Sequence, residues 1–261
     1  MSYKICLDIG GTKIAGALID ENARIWHYQQ ILTQANKSNK EIINHIILII
    51  DKLLSVETIH ELSLQICSIN LAIAGQIDSK KGVIIKSPNF NKNFNNIQIK
   101  NILEKKYKLP VYLDNDANCF ALGEAIYGLG KRYETVVGMT LGTGVGGGIV
   151  INKKVYHGKN NLAAEFGHLI IKNQVWEKKK NNIKDIHHLA LALYNILHIL
   201  DPEIIIIGGG LSHVADLLSQ ARQKLKKLLY YQAFRHTKIV RSKLQNKANL
   251  LGAYLLNNNH I

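Results

Sequence analysis

The sequence predicts an α/β protein of two related domains with a cleft between them. Each half opens with apolar, strand-like segments joined by a glycine-rich turn, and then alternates helical and strand-like patterns. No short-period repeat and no low-complexity linker interrupts this order. We expect an N-terminal domain of residues 1–114 and a C-terminal domain of residues 115–261, with a final helix that can pack back on the first domain.

The first half begins with three strands that form a meander, and glycines separate the first two. Apolar residues at helical spacing then predict a helix, and a second helix ends before Pro110 because a residue that precedes proline disfavours the helical conformation. We expect strands over 3–8, 14–19, 25–32, 69–74 and 111–113, and helices over 40–54 and 97–107.

The second half repeats this style. A helix is followed by two strands around a glycine-rich turn, and Asn152-Lys153 predicts a further hairpin turn. The following helix ends at Asp201-Pro202, ahead of a fully apolar strand. We expect strands over 136–141, 148–151 and 204–207, and helices over 117–127, 186–200, 214–229 and 248–256.

Composition restricts the class of protein. The 261 residues are 47% hydrophobic, which is enough for a sizeable core and argues against disorder. The first residues lack a secretory signal pattern, and no apolar run is long enough to span a bilayer. The three cysteines lie far apart, without a disulfide framework or a CxxC pair. These observations predict a cytoplasmic protein.

The formal net charge of +14 raises the question of nucleic-acid binding. The lysines are scattered in the manner of a solvated surface, and neither zinc-finger spacing nor an RNP-type aromatic motif is present. We therefore expect no specific nucleic-acid partner. An anionic ligand such as ATP would benefit from the same field.

Three glycine clusters follow apolar strands. They are residues 8–12 (Asp-Ile-Gly-Gly-Thr), residues 141–148 (Leu-Gly-Thr-Gly-Val-Gly-Gly-Gly) and residues 208–210 (Gly-Gly-Gly). One such cluster is more often only a hairpin turn, but three at strand ends favour backbone nests that bind anions. The GxGxxG spacing within 142–147 is not a dinucleotide motif because a strand follows it, and no Walker A motif is present.

Polar side chains beside these turns suit phosphate chemistry. Asp8 can orient hydrated Mg²⁺, although it can equally cap its turn. The hydroxyl groups of Thr12 and Thr143 can donate to phosphate oxygens. Lys13 can add a charge or simply be solvated.

Two further clusters carry acid–base groups. Asn115 and Asp116 stand between a strand and a helix, where either can be an N-cap, while Asp116 can also accept a hydroxyl proton in phosphoryl transfer. Glu165 and His168 can bind adjacent sugar hydroxyls, or they can be ordinary satisfied surface groups.

Together these segments resemble the ROK family of sugar kinases, which have the two-domain, actin-like (ribonuclease H-like) ATPase fold. Residues 8–13 resemble the first phosphate motif, 141–148 the second, and 207–210 the adenosine loop. Residues 115–118 resemble the catalytic stretch, 74–78 and 87–90 two sugar-side loops, and 165–168 the ExGH motif. Residues 113–125 and 195–212 most resemble bacterial N-acetyl-D-glucosamine kinases.

The resemblance implies ATP and Mg²⁺ as cofactors and phosphorylation of a hexose or hexosamine at its 6-hydroxyl, with N-acetyl-D-glucosamine as the best guess. It makes Asp116 the catalytic base and Asp8 the residue that holds Mg²⁺ through water. The implied sugar contacts are Gly75, Asn89, Asn115, Glu165 and His168. The implied nucleotide contacts are Asp8, Gly10, Gly11, Thr12, Lys13, Gly142, Thr143, Gly144, Gly146, Gly208, Gly209 and Gly210.

Departures from the family pattern leave alternatives open. Residues 172–182 contain no cysteine, so the zinc cluster that usually follows ExGH is missing and we expect no zinc. A further sugar-binding glutamate usually follows that cluster, and we do not expect Glu177 to replace it. Residues 246–249 also depart from the usual pattern on the nucleotide side.

The alternatives are a glucokinase, fructokinase or N-acetylmannosamine kinase of the same family, or a degenerate protein that binds sugar or nucleotide without turnover. The expected partners are sugar and ATP, with no membrane. A homodimer stays open.

Overall fold

The computed structural model describes residues 2–56, 65–178 and 183–256, with the side chain of residue 233 left aside. The chain divides into two compact units. The first comprises the residues up to Cys119 together with the segment from Asn249, and the second comprises Phe120–Ala248. The domain boundary expected after residue 114 stays a prediction.

The first unit is built on a five-stranded mixed sheet of order β3-β2-β1-β4-β8. Strands β1, β2 and β3 pair antiparallel, and β4 and β8 extend the sheet in parallel. The strand bounds are β1 Ser2–Ile9, β2 Lys13–Asp20, β3 Ile25–Leu32, β4 Gln65–Ile73 and β8 Val111–Asn115. A small antiparallel sheet holds β5 Gln76–Asp78, β6 Val83–Lys86 and β7 Asn95–Ile97.

Helix α1 (Asn39–Leu54) packs an apolar face on this unit's core. Its Ile42, Ile46 and Ile49 are fully buried, as the helical spacing predicted. A capping box of Ser38 and Glu41 starts the helix. Helix α2 (Ile99–Tyr107) begins two residues later than expected, because Ile97 pairs with Ile84 in the small sheet.

The second unit repeats the plan with a sheet of order β11-β10-β9-β14-β15. Here β9, β10 and β11 pair antiparallel, and β14 and β15 extend the sheet in parallel. The bounds are β9 Thr135–Leu141, β10 Val145–Ile151, β11 Lys154–Val155, β14 Ile204–Gly208 and β15 Lys238–Arg241. A two-residue hairpin pairs β12 (Ile170–Ile171) with β13 (Gln174–Val175).

Helices complete the described elements. They are α3 Asp116–Ile126, α4 Ile186–Leu200, α5 Leu217–Leu228 and α6 Lys247–Tyr254, with short 3₁₀ helices at Phe166–His168, Trp176–Lys178, Gly210–His213 and Gln232–His236. Each unit has its own hydrophobic core, and the α/β class is therefore confirmed. Within the described ranges, no helix has the length and apolarity that crossing a membrane requires.

Two predicted boundaries in the second unit were wrong. Strand β10 begins at Val145 instead of residue 148, so the glycines that follow Val145 pair with β9 and do not belong to the turn. Helix α5 begins at Leu217 instead of residue 214, because residues 210–213 form a 3₁₀ turn first. The Asn152-Lys153 turn is confirmed, and both residues have positive φ as a tight hairpin turn requires.

Candidate active site

In the first unit, the carboxyl ends of parallel strands β1, β4 and β8 form one edge of the sheet. Asp8 lies at the end of β1, Gly75 follows β4, and Asn115 ends β8. The amide of Ala74 donates to the carbonyl of Ile9 (3.1 Å), which carries the ladder to the start of both loops. Ligand sites in sheets with parallel strands occur at this kind of edge.

The first glycine turn, residues 10–12, joins β1 to β2 and contacts a sugar-side loop. The amide of Gly10 donates to the carbonyl of Lys13 (3.1 Å), and the buried Thr33 hydroxyl donates to the carbonyl of Gly10 (2.6 Å). A Cβ at Gly11 would lie only 2.7 Å from the backbone oxygen of Asn89. Gly11 therefore allows the phosphate-type turn and the Asn89 loop to touch.

The carboxylate of Asp8 is partly buried and accepts a hydrogen bond from the side-chain amide of Asn249 (3.1 Å). Burial raises the pKa of Asp8 to about 6, against the opposing effects of Asn249 and Lys13. A desolvated carboxylate beside a glycine turn is a suitable anchor for hydrated Mg²⁺, whose charge would favour the ionised form. The Asn249 contact comes from a segment for which the sequence indicated no such role.

Asn115 is the N-cap of α3. Its Oδ1 accepts from the amides of Ala117 (2.8 Å) and Asn118 (3.2 Å), and its Nδ2 donates to the carbonyl of Gly75 (2.8 Å). Of the two capping alternatives, the structure therefore selects Asn115. Asp116 follows in the first helical turn, partly exposed, and its Oδ1 accepts from the amide of Ala117 (3.0 Å).

Buried polar groups lie beneath this helix start. The carboxylate of Asp114 accepts from the amide of Asn115 (2.7 Å) and from the side chain of Asn118 (3.1 Å). The thiol of Cys119 is fully buried, and its pKa is raised well above the usual value by burial and then by nearby carboxylates, including Asp114 and Asp116. Cys119 is thus a structural thiol and not a nucleophile.

The turn at Ala74-Gly75 also lies at this edge, where it contacts Lys86 and Ser87. Gly75 has φ of 125°, and the hydroxyl of Ser87 donates to the carbonyl of Ala74 (2.6 Å). A Cβ at Gly75 would clash with the backbone of Lys86 and Ser87, so a glycine is required there. Within the first unit, the structure therefore brings together the Asp8 turn, Gly75, Asn89 and Asn115-Asp116.

In the second unit, the β9–β10 turn carries the second phosphate-type motif. The amide of Gly142 donates to the carbonyl of Gly144 (2.9 Å), and Thr143 is exposed at the tip. A Cβ at Gly142 would meet no atom within 4 Å, which leaves room for a ligand to approach the backbone. Gly146 instead lies in β10, paired with Thr140, so it contributes to the ladder rather than to the tip.

The ExGH segment forms a 3₁₀ turn in which Glu165 and His168 face each other. The Nδ1 of His168 lies 3.4 Å from Oε2 of Glu165 and 3.9 Å from Oε1 of Glu177. Burial raises the pKa of Glu165; His168 opposes this shift and Glu177 adds to it. Glu177 was not expected at this cluster, because its link to His168 depends on how residues 170–176 fold back.

The third glycine cluster ends β14 and lines a cavity of about 170 Å³. Gly208, Gly209 and Gly210 are joined there by Ser212, His213, Ser242, Gln245 and Asn246. Gly209 has φ of 80° and packs on the backbone of Leu141, whereas a Cβ at Gly210 would meet nothing within 4 Å. The cavity mixes amide, hydroxyl and imidazole groups on a glycine-lined wall, which suits a nucleoside with hydrogen-bonding edges.

No sequence pattern pointed to Ser242 or Gln245, and Asn246 was placed on the nucleotide side only by the segment 246–249 that departs from the family pattern. Ser242 is held from two sides, since its hydroxyl donates to Glu124 and accepts from the amide of Gln245 (2.8 Å). Glu124 is fully buried and also accepts from the amide of Leu129 (3.1 Å). The contact between Ser242 and Glu124 joins segments more than a hundred residues apart, which local patterns do not reveal.

Comparisons of the sequence with known proteins point to one family. The ROK family model matches residues 4–182 and 181–260. The glucokinase of Thermotoga maritima is 26% identical, with 95% of each chain covered. The N-acetyl-D-glucosamine kinase of Yersinia enterocolitica is 27% identical, with 95% of this chain and 97% of that protein covered.

A solved structure supports the same assignment. The ROK family glucokinase of Streptomyces griseus, in complex with glucose and AMPPNP, superposes with a TM-score of 0.80 at 25% identity, covering 96% of this chain and 97% of that one. The two-domain, actin-like ATPase fold expected from the sequence is thereby confirmed. The family model and these relatives agree with the phosphate-type turns and with Asp116 in the first turn of α3, so the chain belongs to the ROK family, whose members include these sugar kinases.

Proposed function

We propose that the protein is an ATP-dependent sugar kinase of the cytoplasm that phosphorylates the 6-hydroxyl of a hexose or hexosamine. Among these sugars, N-acetyl-D-glucosamine is the substrate that we propose first. Relatives named for glucose and for N-acetyl-D-glucosamine are equally similar, at 26% and 27% identity, so overall similarity does not select the sugar.

The observation that carries the proposal is the edge of the first unit's sheet. Asn115 caps α3 and holds the carbonyl of Gly75, which leaves Asp116 in the first helical turn, partly exposed. The phosphate-type turn touches the Asn89 loop at the same edge. A carboxylate, sugar-side loops and a phosphate-type turn therefore occur together within one compact unit.

In the proposed reaction, the carboxylate of Asp116 takes the proton of the sugar 6-hydroxyl while that oxygen bonds to the γ-phosphorus of ATP. The bond between the γ-phosphorus and the bridging oxygen breaks, and ADP leaves with the bond's electron pair. Asn89, Asn115, Glu165 and His168 bind ring hydroxyls, with Gly75 close to the sugar.

The nucleotide would be held by backbone amides and small polar groups. The turns at Gly10–Lys13 and at Gly142–Gly144 would bind the phosphates, and the cavity at Gly208–Gly210 would take the adenosine. Bound Mg²⁺ would neutralise charge on the phosphates, with Asp8 holding it through water. We expect no zinc, because the segment 172–182 contains no cysteine.

The test is a coupled ADP-release assay over hexoses and N-acetylhexosamines, with and without added zinc. We expect turnover with at least one sugar, and a loss of about a thousandfold or more in kcat for Asp116→Asn, which keeps the shape but not the basicity. Asp201→Asn, at the C-cap of α4, is the matched control and should retain activity. Full turnover by Asp116→Asn would refute the assignment of the base.

The alternative is a protein that binds sugar or nucleotide without turnover. The feature that favours it is the cysteine-free segment 172–182, of which residues 179–182 lie outside the described residues. Calorimetric binding of a sugar by a folded protein that releases no ADP with any sugar tested would support this alternative and contradict the kinase.

A further inference from the structure

The C-terminal helix α6 brings a side-chain amide to the carboxylate that we assign to Mg²⁺. Nδ2 of Asn249 donates to Oδ1 of Asp8 (3.1 Å), although the two residues are 241 positions apart in the chain. Both belong to the first unit, which includes the segment from Asn249 onward. Residues 246–249 depart from the usual family pattern, so no motif accounts for this contact.

The middle of α6 lies directly on the backbone of α3. A Cβ at Gly252 would clash with the carbonyl oxygen of Cys119. Leu250 and Ala253, which lie close to Gly252 along the helix, are buried. Because only a glycine allows two backbones to come so close, and because the packing around it is dense, α6 has little room to shift on this surface.

The C-terminal end of α6 is held by polar side chains of the first unit's sheet. Nδ2 of the buried Asn70 donates to the carbonyl of Ala253 (2.7 Å), and Oδ1 of Asn70 accepts from the hydroxyl of Ser68 (2.8 Å). Nζ of Lys4 donates to the carbonyl of Tyr254 (2.9 Å) and lies 4.4 Å from the centre of its ring. These donors satisfy carbonyls that a helix end leaves without a helical partner, and the ammonium suits the negative end of the helix dipole.

Strand β1 carries both of the charged groups that α6 contacts. Lys4 and Asp8 are four residues apart on β1, so their side chains lie on one face of the sheet. Lys4 holds the last turn of α6, while Asn249 reaches Asp8 from the first turn. Two contacts with one strand fix the helix along it. The Asn249 amide is therefore held in place before any ligand binds, which is what a precise site requires of its supporting residues.

We propose that Asn249 is a positioning residue for the Mg²⁺ site, where its amide holds Oδ1 of Asp8 and leaves Oδ2 to accept from water bound to the ion. A carboxylate held by one charge-assisted hydrogen bond has lost much of its freedom to rotate. The proposal rests on the proposed function and deepens it, because it adds a second residue to the Mg²⁺ site.

Calorimetry with the nucleotide analogue AMPPNP tests this role without turnover. In Asn249→Ala we expect the affinity for Mg²⁺·AMPPNP to fall about tenfold, since a hydrogen bond to a charged group is lost, and the affinity for metal-free AMPPNP to stay within about twofold. In the kinase assay, the Mg²⁺ concentration for half-maximal rate should rise about tenfold. Asn101→Ala, at an exposed position of α2, is the control and should change none of these values.

Exchange of the two groups tests the contact itself by urea unfolding. At about pH 8, Asn249→Asp sets two carboxylates against each other, and the unfolding equilibrium constant should rise about tenfold or more. Asp8→Asn combined with Asn249→Asp restores one donor and one acceptor, so the constant should return to within about threefold of wild type, while the preference for Mg²⁺·AMPPNP is lost. Asn101→Asp adds the same charge at an exposed site and should leave the constant unchanged.

Each remaining outcome counts against the proposal. Equal losses of affinity with and without Mg²⁺ in Asn249→Ala would show that the contact serves only to dock α6, and unchanged affinity for Mg²⁺·AMPPNP would overturn the positioning role directly. Wild-type stability in Asn249→Asp would refute the contact. A wild-type protein that turns over no sugar would refute the proposed kinase but not Asn249, because the calorimetry and the unfolding data still decide its role. Equal wild-type affinities for AMPPNP with and without Mg²⁺ would overturn it.

Discussion

Asn115 holds two parts of the first unit together, and its replacement should lower the free energy of unfolding by a measurable amount. Its side chain caps α3 through the amides of Ala117 and Asn118 and donates to the carbonyl of Gly75. Removing an N-cap costs about 1 kcal/mol, and removing the partly buried hydrogen bond to Gly75 costs about 1 kcal/mol more. Asn115→Ala should therefore lower the free energy of unfolding by about 2 kcal/mol.

A second substitution tests how this loss divides. Asn115→Ser keeps a good N-cap oxygen but is too short to reach the Gly75 carbonyl, so we expect a loss of about 1 kcal/mol. Asn101→Ala is the control: Asn101 is exposed on α2, and we expect a change within about 0.5 kcal/mol.

Urea unfolding followed by circular dichroism measures these differences, and calorimetry should show the midpoint for Asn115→Ala lowered by roughly 4–8 °C. Equal losses for Asn115→Ala and Asn115→Ser would refute the contribution of the N-cap, and an unchanged stability of Asn115→Ser would refute the tether to Gly75. A loss below about 0.5 kcal/mol for Asn115→Ala would refute both contacts.

Three further predictions concern stability and the nucleotide side. The ammonium of Lys153 donates to several backbone carbonyls, the shortest hydrogen bond being 2.7 Å to Tyr133, so Lys153→Met should lower the free energy of unfolding by about 2–3 kcal/mol. Lys154 is exposed, and Lys154→Met should leave the free energy of unfolding unchanged in the same urea assay. Burial opposes ionisation of Asp20, but its N–H donors outweigh burial and lower its pKa in the folded protein. The contribution of Asp20 to the free energy of unfolding is therefore present above about pH 4 and is lost as pH falls through the lowered pKa. In Asp20→Asn, the free energy of unfolding should depend less steeply on pH in this acid range. Glu124→Gln should weaken ATP binding several-fold in calorimetry by loosening Ser242, with sugar affinity unchanged.

Much of the fold followed from local patterns. The spacing of apolar residues predicted α1 and α4 to within a residue, because a 3.6-residue period has few alternatives. The start of α2 was missed because pairing with β6 overrides the propensity of residues 97–98. The glycines after Val145 were assigned to a turn, although long-range pairing with β9 keeps them in a strand.

For this protein, the sequence alone determined the α/β class, the glycine turns and the family, since these depend on residue types at short spacing. It left the capping of α3 open, and only the structure decided that Asn115 caps while Asp116 follows it. The contact of Asn249 with Asp8, and the place of Glu177 between Val145 and His168, were not predicted from the sequence. Such contacts join residues distant in the chain, and tertiary packing alone decides which side chains meet.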